Sequence, residues 1–141
     1  TMNLTLQGNY GYTYARFLNY VKDESKGQIY TGNMVPMVPR HTLGFNASYS
    51  IYPTSCLDAI NITAGITGTG KLYWLEDNAV CQPFYVLPNA RVEFRKGIVA
   101  LSLWGKNLSN TEYLSYYFVS SAKYAQKGTP LTLGADIVVN F

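Results

Sequence analysis

The side chains that could do chemistry are few and scattered. His41 is the single histidine and follows Arg40. Cys56 and Cys81 are the two cysteines, with no CxxC spacing. One histidine and two distant thiols are too few to close a zinc site, and His41 beside Arg40 reads as a surface residue. Glu76 and Asp77 are neighbouring carboxylates, a pairing that could serve acid–base work. Adjacent residues of an extended chain point apart, and no activated nucleophile accompanies them, so they read as part of a solvated loop. Arg91, Glu93 and Arg95 recur at period two and share one strand face. They could line a substrate path; ion pairing across strands is the reading favoured here. Gly65, Gly68 and Gly70 are not a dinucleotide fingerprint, because no helical pattern follows them. In a strand they mark a bend or a close approach. No catalytic constellation, metal site or cofactor site emerges, and the expectation is a protein that is not an enzyme.

Composition narrows the class. A chain of 141 residues is one domain with room for a core. Its charge is +3 with 13% charged residues, about half the usual share of roughly 25%. No run of Lys or Arg forms a patch for nucleic acid. Aromatics make up 15%, including 13 Tyr. Tyr-rich, charge-poor strands suit a surface that is apolar in the middle and wet at both ends. No apolar run reaches the roughly 18 residues of a membrane helix. No signal peptide opens the chain, so an exported parent would make this a fragment or a processed chain.

The elements that must position these residues are strands. In the terminal stretch Leu131, Leu133, Ala135, Ile137, Val139 and Phe141 alternate with Thr132, Gly134, Asp136 and Asn140. This gives one apolar and one polar face. Residues 3–17 put Leu4, Leu6, Gly8, Tyr10, Tyr12 and Tyr14 on one face. Residues 41–52 give the cleanest alternation, with Leu43, Phe45, Ala47, Tyr49 and Ile51 against Thr42, Gly44, Asn46, Ser48 and Ser50. Residues 59–74, 84–95 and 98–106 supply three more strands, with Pro88 expected to interrupt the second of these and Lys96-Gly97 a tight turn. The expected fold is all-β, an antiparallel up-and-down meander of about six strands. Its connections alternate short (53–57, 96–97) and long (18–40, 75–83, 109–128). Short turns at one end and long loops at the other are the habit of outer-membrane barrels. Cys56 then falls in a short turn and Cys81 in a long loop. They lie about 30 Å apart along a strand, well beyond the roughly 7 Å that a disulfide spans.

Four stretches together resemble the C-terminal end of a TonB-dependent outer-membrane receptor. Gly8–Phe17 is similar to the family's strand entering an extracellular loop. Gly32–Leu43 resembles its G-N-x-V-P-x-V-P-[KR]-H stretch, and Gly105–Tyr113 its G-x-N-L-x-[ND]-x-x-Y element. The terminal strand, with Gly134, Ile137, Val139 and Phe141, resembles the signal read by the barrel assembly machinery. The resemblance covers essentially residues 1–141 as one barrel segment with the plug domain absent. It implies a parent of about 22 strands around a plugged lumen in the outer membrane. Such a parent imports a scarce nutrient (an iron–siderophore, haem, cobalamin or a glycan) with energy from the TonB complex.

Further expectations follow. Tyr73, Trp74, Tyr116, Tyr117 and Phe118, near the long-loop ends, could touch a ligand; an aromatic girdle at the membrane boundary is favoured. The chain should leave the sheet at Asn107, because Asn supports turns through its own backbone. A soluble binding module, built as a small barrel around an apolar ligand, is the alternative, and a purely structural barrel is a third. In water the apolar set would have to turn inward, leaving Asn46, Thr63, Arg91 and Asp136 outside. The edges would then close on each other or on a second copy. Exposure of the apolar set would instead mean that the sheet keeps a lipid-facing sense.

Overall fold

The computed structural model describes residues 3–53 and 56–141; Thr54 and Ser55 of the expected first turn lie outside them. Twelve strands are present among the described residues. In chain order they are β1 (Leu4–Tyr12), β2 (Val21–Asp23), β3 (Gln28–Ile29), β4 (His41–Ile51), β5 (Ala59–Thr69) and β6 (Leu72–Tyr73). There follow β7 (Cys81–Gln82), β8 (Tyr85–Lys96), β9 (Val99–Lys106), β10 (Leu114–Val119), β11 (Lys123–Lys127) and β12 (Thr132–Val139). The long strands form one six-stranded antiparallel sheet in the order β1-β4-β5-β8-β9-β12. This is the expected meander. The other six strands form three small hairpins, one in each long connection.

Register follows from the period of two, since a one-residue slip would turn every apolar side chain to the other face. Phe45 therefore lies opposite Ile66, Ile62 opposite Val92, Phe94 opposite Leu101, and Leu103 opposite Ala135. The β8–β9 turn is tight, with Gly97 at φ 53° and its N–H donating to Asp58 Oδ2 at 2.6 Å. The other short connection joins β4 to β5, so all three long loops emerge from the opposite end. Cys56 just precedes β5, Cys81 lies in β7 past its far end, and the two are not bonded to each other.

Three expectations are corrected. The first strand is shorter than 3–17: it ends at Tyr12, and beyond it the pairing continues only as the Thr13 N to Arg40 O bond and the contacts around a bridge from Arg16 to Met34 among the described residues. The run 59–74 divides, because β5 stops at Thr69 and the chain turns into the β6–β7 hairpin. Pro88 does not interrupt β8. Its carbonyl accepts the Leu108 N–H at 2.9 Å, on the side where β9 has already ended at Lys106. A residue's N and C=O point the same way in an antiparallel strand, so the missing donor falls where no ladder partner waits.

The faces settle the orientation. Leu133 and Ile137 are each 71% exposed, and Phe45, Leu101, Leu103 and Val139 are also exposed, whereas Ser102 on the opposite face is 1% exposed. The sheet is also open, because β1 pairs only with β4 and β12 only with β9. The inverted, closed arrangement expected for a soluble barrel is therefore overturned. Each Leu or Ile left in water forgoes roughly 1.5–3 kcal/mol. A continuous band of them is stable only against an apolar solvent. The 11 residues of β4 span about 26 Å vertically if tilted near 45°, against an apolar band about 25 Å tall in such barrels.

Close packing of the ladder gives a test. A Cβ on Gly70 would stand 2.6 Å from His41 N and 2.7 Å from His41 O, whereas one on Gly8 would meet only the Phe45 ring at 3.8 Å. Backbone cannot yield as a side-chain tip can. Gly70→Ala should lower the urea unfolding midpoint of the detergent-solubilised protein by about 1–3 kcal/mol equivalent, with Gly8→Ala close to neutral.

Candidate functional site: a polar wall and its loop crown

The polar face of the sheet is concave. Thr63, Thr67, Asn89, Arg91, Trp104 and Asp136 help to line an open concavity of about 720 Å³. Arg91 lies opposite Trp104, and Asp136 opposite Ser102. The guanidinium therefore crosses β9 diagonally. Arg91 donates to Ser102 Oγ at 2.8 Å and pairs with Asp136 at 3.4 Å. Glu93 pairs with Arg95 along its own strand at 3.1 Å and accepts from Asn61 at 3.2 Å. Asn61 in turn accepts from Ser50 at 2.8 Å. The expected cross-strand ion pairing thus exists for Arg91, whose acid is Asp136, whereas Glu93 and Arg95 pair within their own strand. Arg91 and Asp136 are both 44% exposed, so their pair stabilises by no more than about 1 kcal/mol. Chemically this is a wettable wall of donors and acceptors, with the ring of Trp104 among them.

Asn107 anchors the exit from β9. It is buried and left-handed at φ 50°, a conformation Asn tolerates better than most side chains. Its Nδ2 donates to Thr111 O and Thr129 O, each at 3.0 Å. Its Oδ1 accepts from Thr111 N at 2.9 Å. One side chain therefore ties the two stems of the third long loop, and the chain leaves the sheet where expected. Tyr113 completes the base by stacking on Tyr85 at 4.5 Å. Gly128 leaves it room, since a Cβ there would strike the Tyr113 ring.

Above the sheet the long loops form a crown with its own small core. Leu72, Trp74 and Tyr117 are buried together, with Leu75, Val80 and Leu114 against them. Of the five aromatics expected in a girdle, Trp74 and Tyr117 thus sit inside the crown. Tyr116 and Phe118 are exposed on β10, and Tyr73 lies under Lys71 Nζ at 4.8 Å. The sequence reading missed another aromatic cluster. Tyr10 and Tyr12 lie on the apolar face at the loop end, exposed, with rings 6.0 and 5.2 Å from that of His41. The Tyr10 hydroxyl is 2.8 Å from His41 Nδ1. The period-two pattern of β1 carried that signal.

Glu76, expected in a solvated loop, fastens two loops. It accepts from the Tyr20 hydroxyl and from Lys22 Nζ, each at 2.8 Å. Its own carbonyl accepts from Asn33 at 2.8 Å. Asn78, at φ 57°, adds a second clasp: Oδ1 accepts from Met34 N at 2.8 Å and Nδ2 donates to Met34 O at 2.9 Å. Asp77 caps the Ala79 N–H at 2.9 Å and plays no part with Glu76. Nothing local marks Glu76, because the partners of its carboxylate lie more than fifty residues away. Hydrogen bonds from Lys22 and Tyr20 hold its carboxyl below the usual range, and its own bond to each raises both Lys22 and Tyr20.

The terminal strand presents Ile137, Val139 and Phe141 outward, all exposed. Gly134 lies opposite Trp104, and a Cβ there would collide with the indole.

Two expectations follow. Asn107→Ala removes three hydrogen bonds at about 1 kcal/mol each and should destabilise the protein by roughly 3 kcal/mol in denaturant unfolding. Asn107→Gly should cost about 1 kcal/mol less, because glycine accepts the left-handed backbone. The Glu76 clasp should depend on pH at both extremes. A depressed carboxylate contributes above its ordinary value and stops contributing as pH falls through the depressed one. The raised Tyr20 and Lys22 contribute below their ordinary values and stop as pH rises through the raised ones. The plateau therefore runs from about pH 5 to about pH 10. Amide exchange in residues 20–34, corrected for intrinsic rate, should quicken below that window, and Glu76→Gln should flatten the acid response.

No protein-family model matches the sequence. Solved structures do match the fold. The ferric yersiniabactin uptake receptor FyuA of Yersinia pestis superposes with TM-score 0.74 at 24% identity, over 81% of this chain and 18% of that one. The ferric-catecholate import receptor Fiu of E. coli K12 gives 0.76 at 21%, over 100% and 19%. The siderophore receptor PiuA of Acinetobacter baumannii gives 0.73 at 22%, over 98% and 19%. The chain spans about a fifth of the length of these receptors. With its open meander, exposed apolar side and loops gathered at one end, it has the fold of a section of the β-barrel wall of a TonB-dependent outer-membrane receptor.

Proposed function

We propose that this chain is part of the barrel wall of an outer-membrane importer of ferric siderophores, energised through the TonB complex. The observation that carries the reading is the inverted dressing of the sheet. Its apolar face is exposed and its polar face is concave, as a wall between lipid and a hydrated lumen requires. Siderophores are favoured over haem, cobalamin or a glycan because FyuA, Fiu and PiuA, which share the fold, are a ferric yersiniabactin receptor, a ferric-catecholate receptor and a siderophore receptor. On this reading the wall positions polar groups and carries loops, and no bond-making chemistry is assigned to it. Gly134, Ile137, Val139 and Phe141 form the strand read by the barrel assembly machinery, and the edges β1 and β12 pair with the remaining wall. Tyr73, Tyr116 and Phe118 join Tyr10 and Tyr12 at the loop-side boundary.

Two measurements test this. Spin labels can be placed singly in the complete protein with Cys56 and Cys81 changed to Ser. Labels at 133 and 137 should be relaxed by oxygen from the lipid, and labels at 63 and 136 by a water-soluble nickel chelate. The reverse pattern would sink the membrane reading. Deleting the gene should abolish uptake of at least one radio-iron-loaded siderophore, and the gene supplied in trans should restore it. Unchanged uptake across catecholate, hydroxamate and mixed-ligand siderophores would sink the substrate assignment.

A further inference from the structure

Three of the loop cations are paired. Lys22 meets Glu76, Lys26 meets Asp23, and Lys127 meets Glu112. Arg16 and Lys123 stand apart without an ion pair among the described residues, whereas Arg40 and Lys71 come together. They converge on one concavity of about 250 Å³ lined by Met34, Val38, Arg40, His41, Lys71 and Tyr73. No carboxylate lines it, and neither cation has an ion pair among the described residues.

Both cations are held in place by neutral groups. The Arg40 guanidinium lies 5.4 Å above the Tyr14 ring, with Met34 Sδ 3.7 Å from Nη2. Lys71 Nζ lies over the Tyr73 ring, and Tyr73 is the main reason its proton is held above the ordinary lysine value, against a smaller opposing push from Arg40. The backbone beneath them is pinned. Arg40 N donates to Lys71 O at 3.3 Å, Thr13 N to Arg40 O at 3.0 Å, and Gly70 N to His41 O at 2.6 Å. Two unneutralised cations on a fixed backbone, with only aromatic and thioether support, form a preorganised anion site.

Its location says which anion. Arg40 immediately precedes β4 and Lys71 follows β5, at the loop end of the sheet. His41, in the same lining, belongs to the Tyr10–Tyr12–His41 cluster at which the exposed apolar band ends. Lipid phosphates lie at that depth, beside interfacial tyrosines, and basic side chains there attract anionic headgroups.

We infer that Arg40 and Lys71, with His41 beside them, bind the phosphate of an anionic lipid headgroup at the loop-side rim of the barrel. The lipid source rests on the membrane reading above; the anion site itself does not. The complete protein would be placed in nanodiscs of phosphatidylcholine with or without one-fifth phosphatidylglycerol, and retained lipid counted by native mass spectrometry. The parent should retain phosphatidylglycerol preferentially. Arg40→Gln with Lys71→Gln should weaken that retention about thirtyfold, each basic side chain contributing about fivefold. Lys96→Gln, at the short-turn end, should leave it unchanged. Equal retention by parent and double variant would overturn the inference. If the parent fails to enter phosphatidylcholine discs, the membrane reading fails, and the site is judged by titrating inorganic phosphate into detergent-solubilised protein. Binding lost in the double variant would then keep the anion site with a free source, and no binding by the parent would remove it.

Discussion

The structure depends on hydrogen-bond closure of the sheet backbone, which on the proposed membrane reading lies where water cannot help. A segment that faces hydrocarbon must pair every N–H and C=O within the protein. The six-stranded meander does this through continuous registers across five strand pairs. Even Pro88, which cannot donate, sits where the ladder asks nothing of it. The same constraint explains the two places where closure is incomplete. β1 and β12 each have one unpaired side, and such edges seek a partner strand. Further wall on either side would supply it.

Closure of the backbone leaves side chains free to sort by solvent, and here the sorting is opposite to that of a water-soluble sheet. The outward side chains are Leu, Ile, Val, Phe and Tyr; Ser102, Thr63, Asn61 and Glu93 are the less accessible ones. What holds the inner face is accordingly a relay of polar contacts, from Ser50 through Asn61 to Glu93 and Arg95, and from Ser102 through Arg91 to Asp136. Each contact is worth little where side chains stay wet. Their combined effect is a defined charge pattern on the wall rather than a large stabilisation.

The crown above the sheet obeys ordinary rules for packing in water. Trp74, Leu72 and Tyr117 make a small buried cluster, and Asn78, Asn33 and Asn107 satisfy loop backbone that would otherwise be orphaned. Local stability there rests on a handful of polar clasps, so the loops belong to the part of the molecule that opens most readily.

The strands were legible in the sequence because a period of two is a local property, and a slip of one residue would invert both faces. For the same reason the turn at Lys96-Gly97 and the exit at Asn107 could be placed, since each depends on a few adjacent residues. What could not be read was anything joining residues distant in the chain. The partner of Arg91 is Asp136, set by a register three strands long. Glu76 finds Tyr20 and Lys22 only once two loops fold over each other. Trp74 and Tyr117, expected at a rim, are drawn into a core that exists only because the hairpins β6–β7 and β10–β11 meet. The choice of face was decided in three dimensions too. Alternation says that one side is apolar and the other polar; curvature decides which of them is concave, and the polar side is the hollow one.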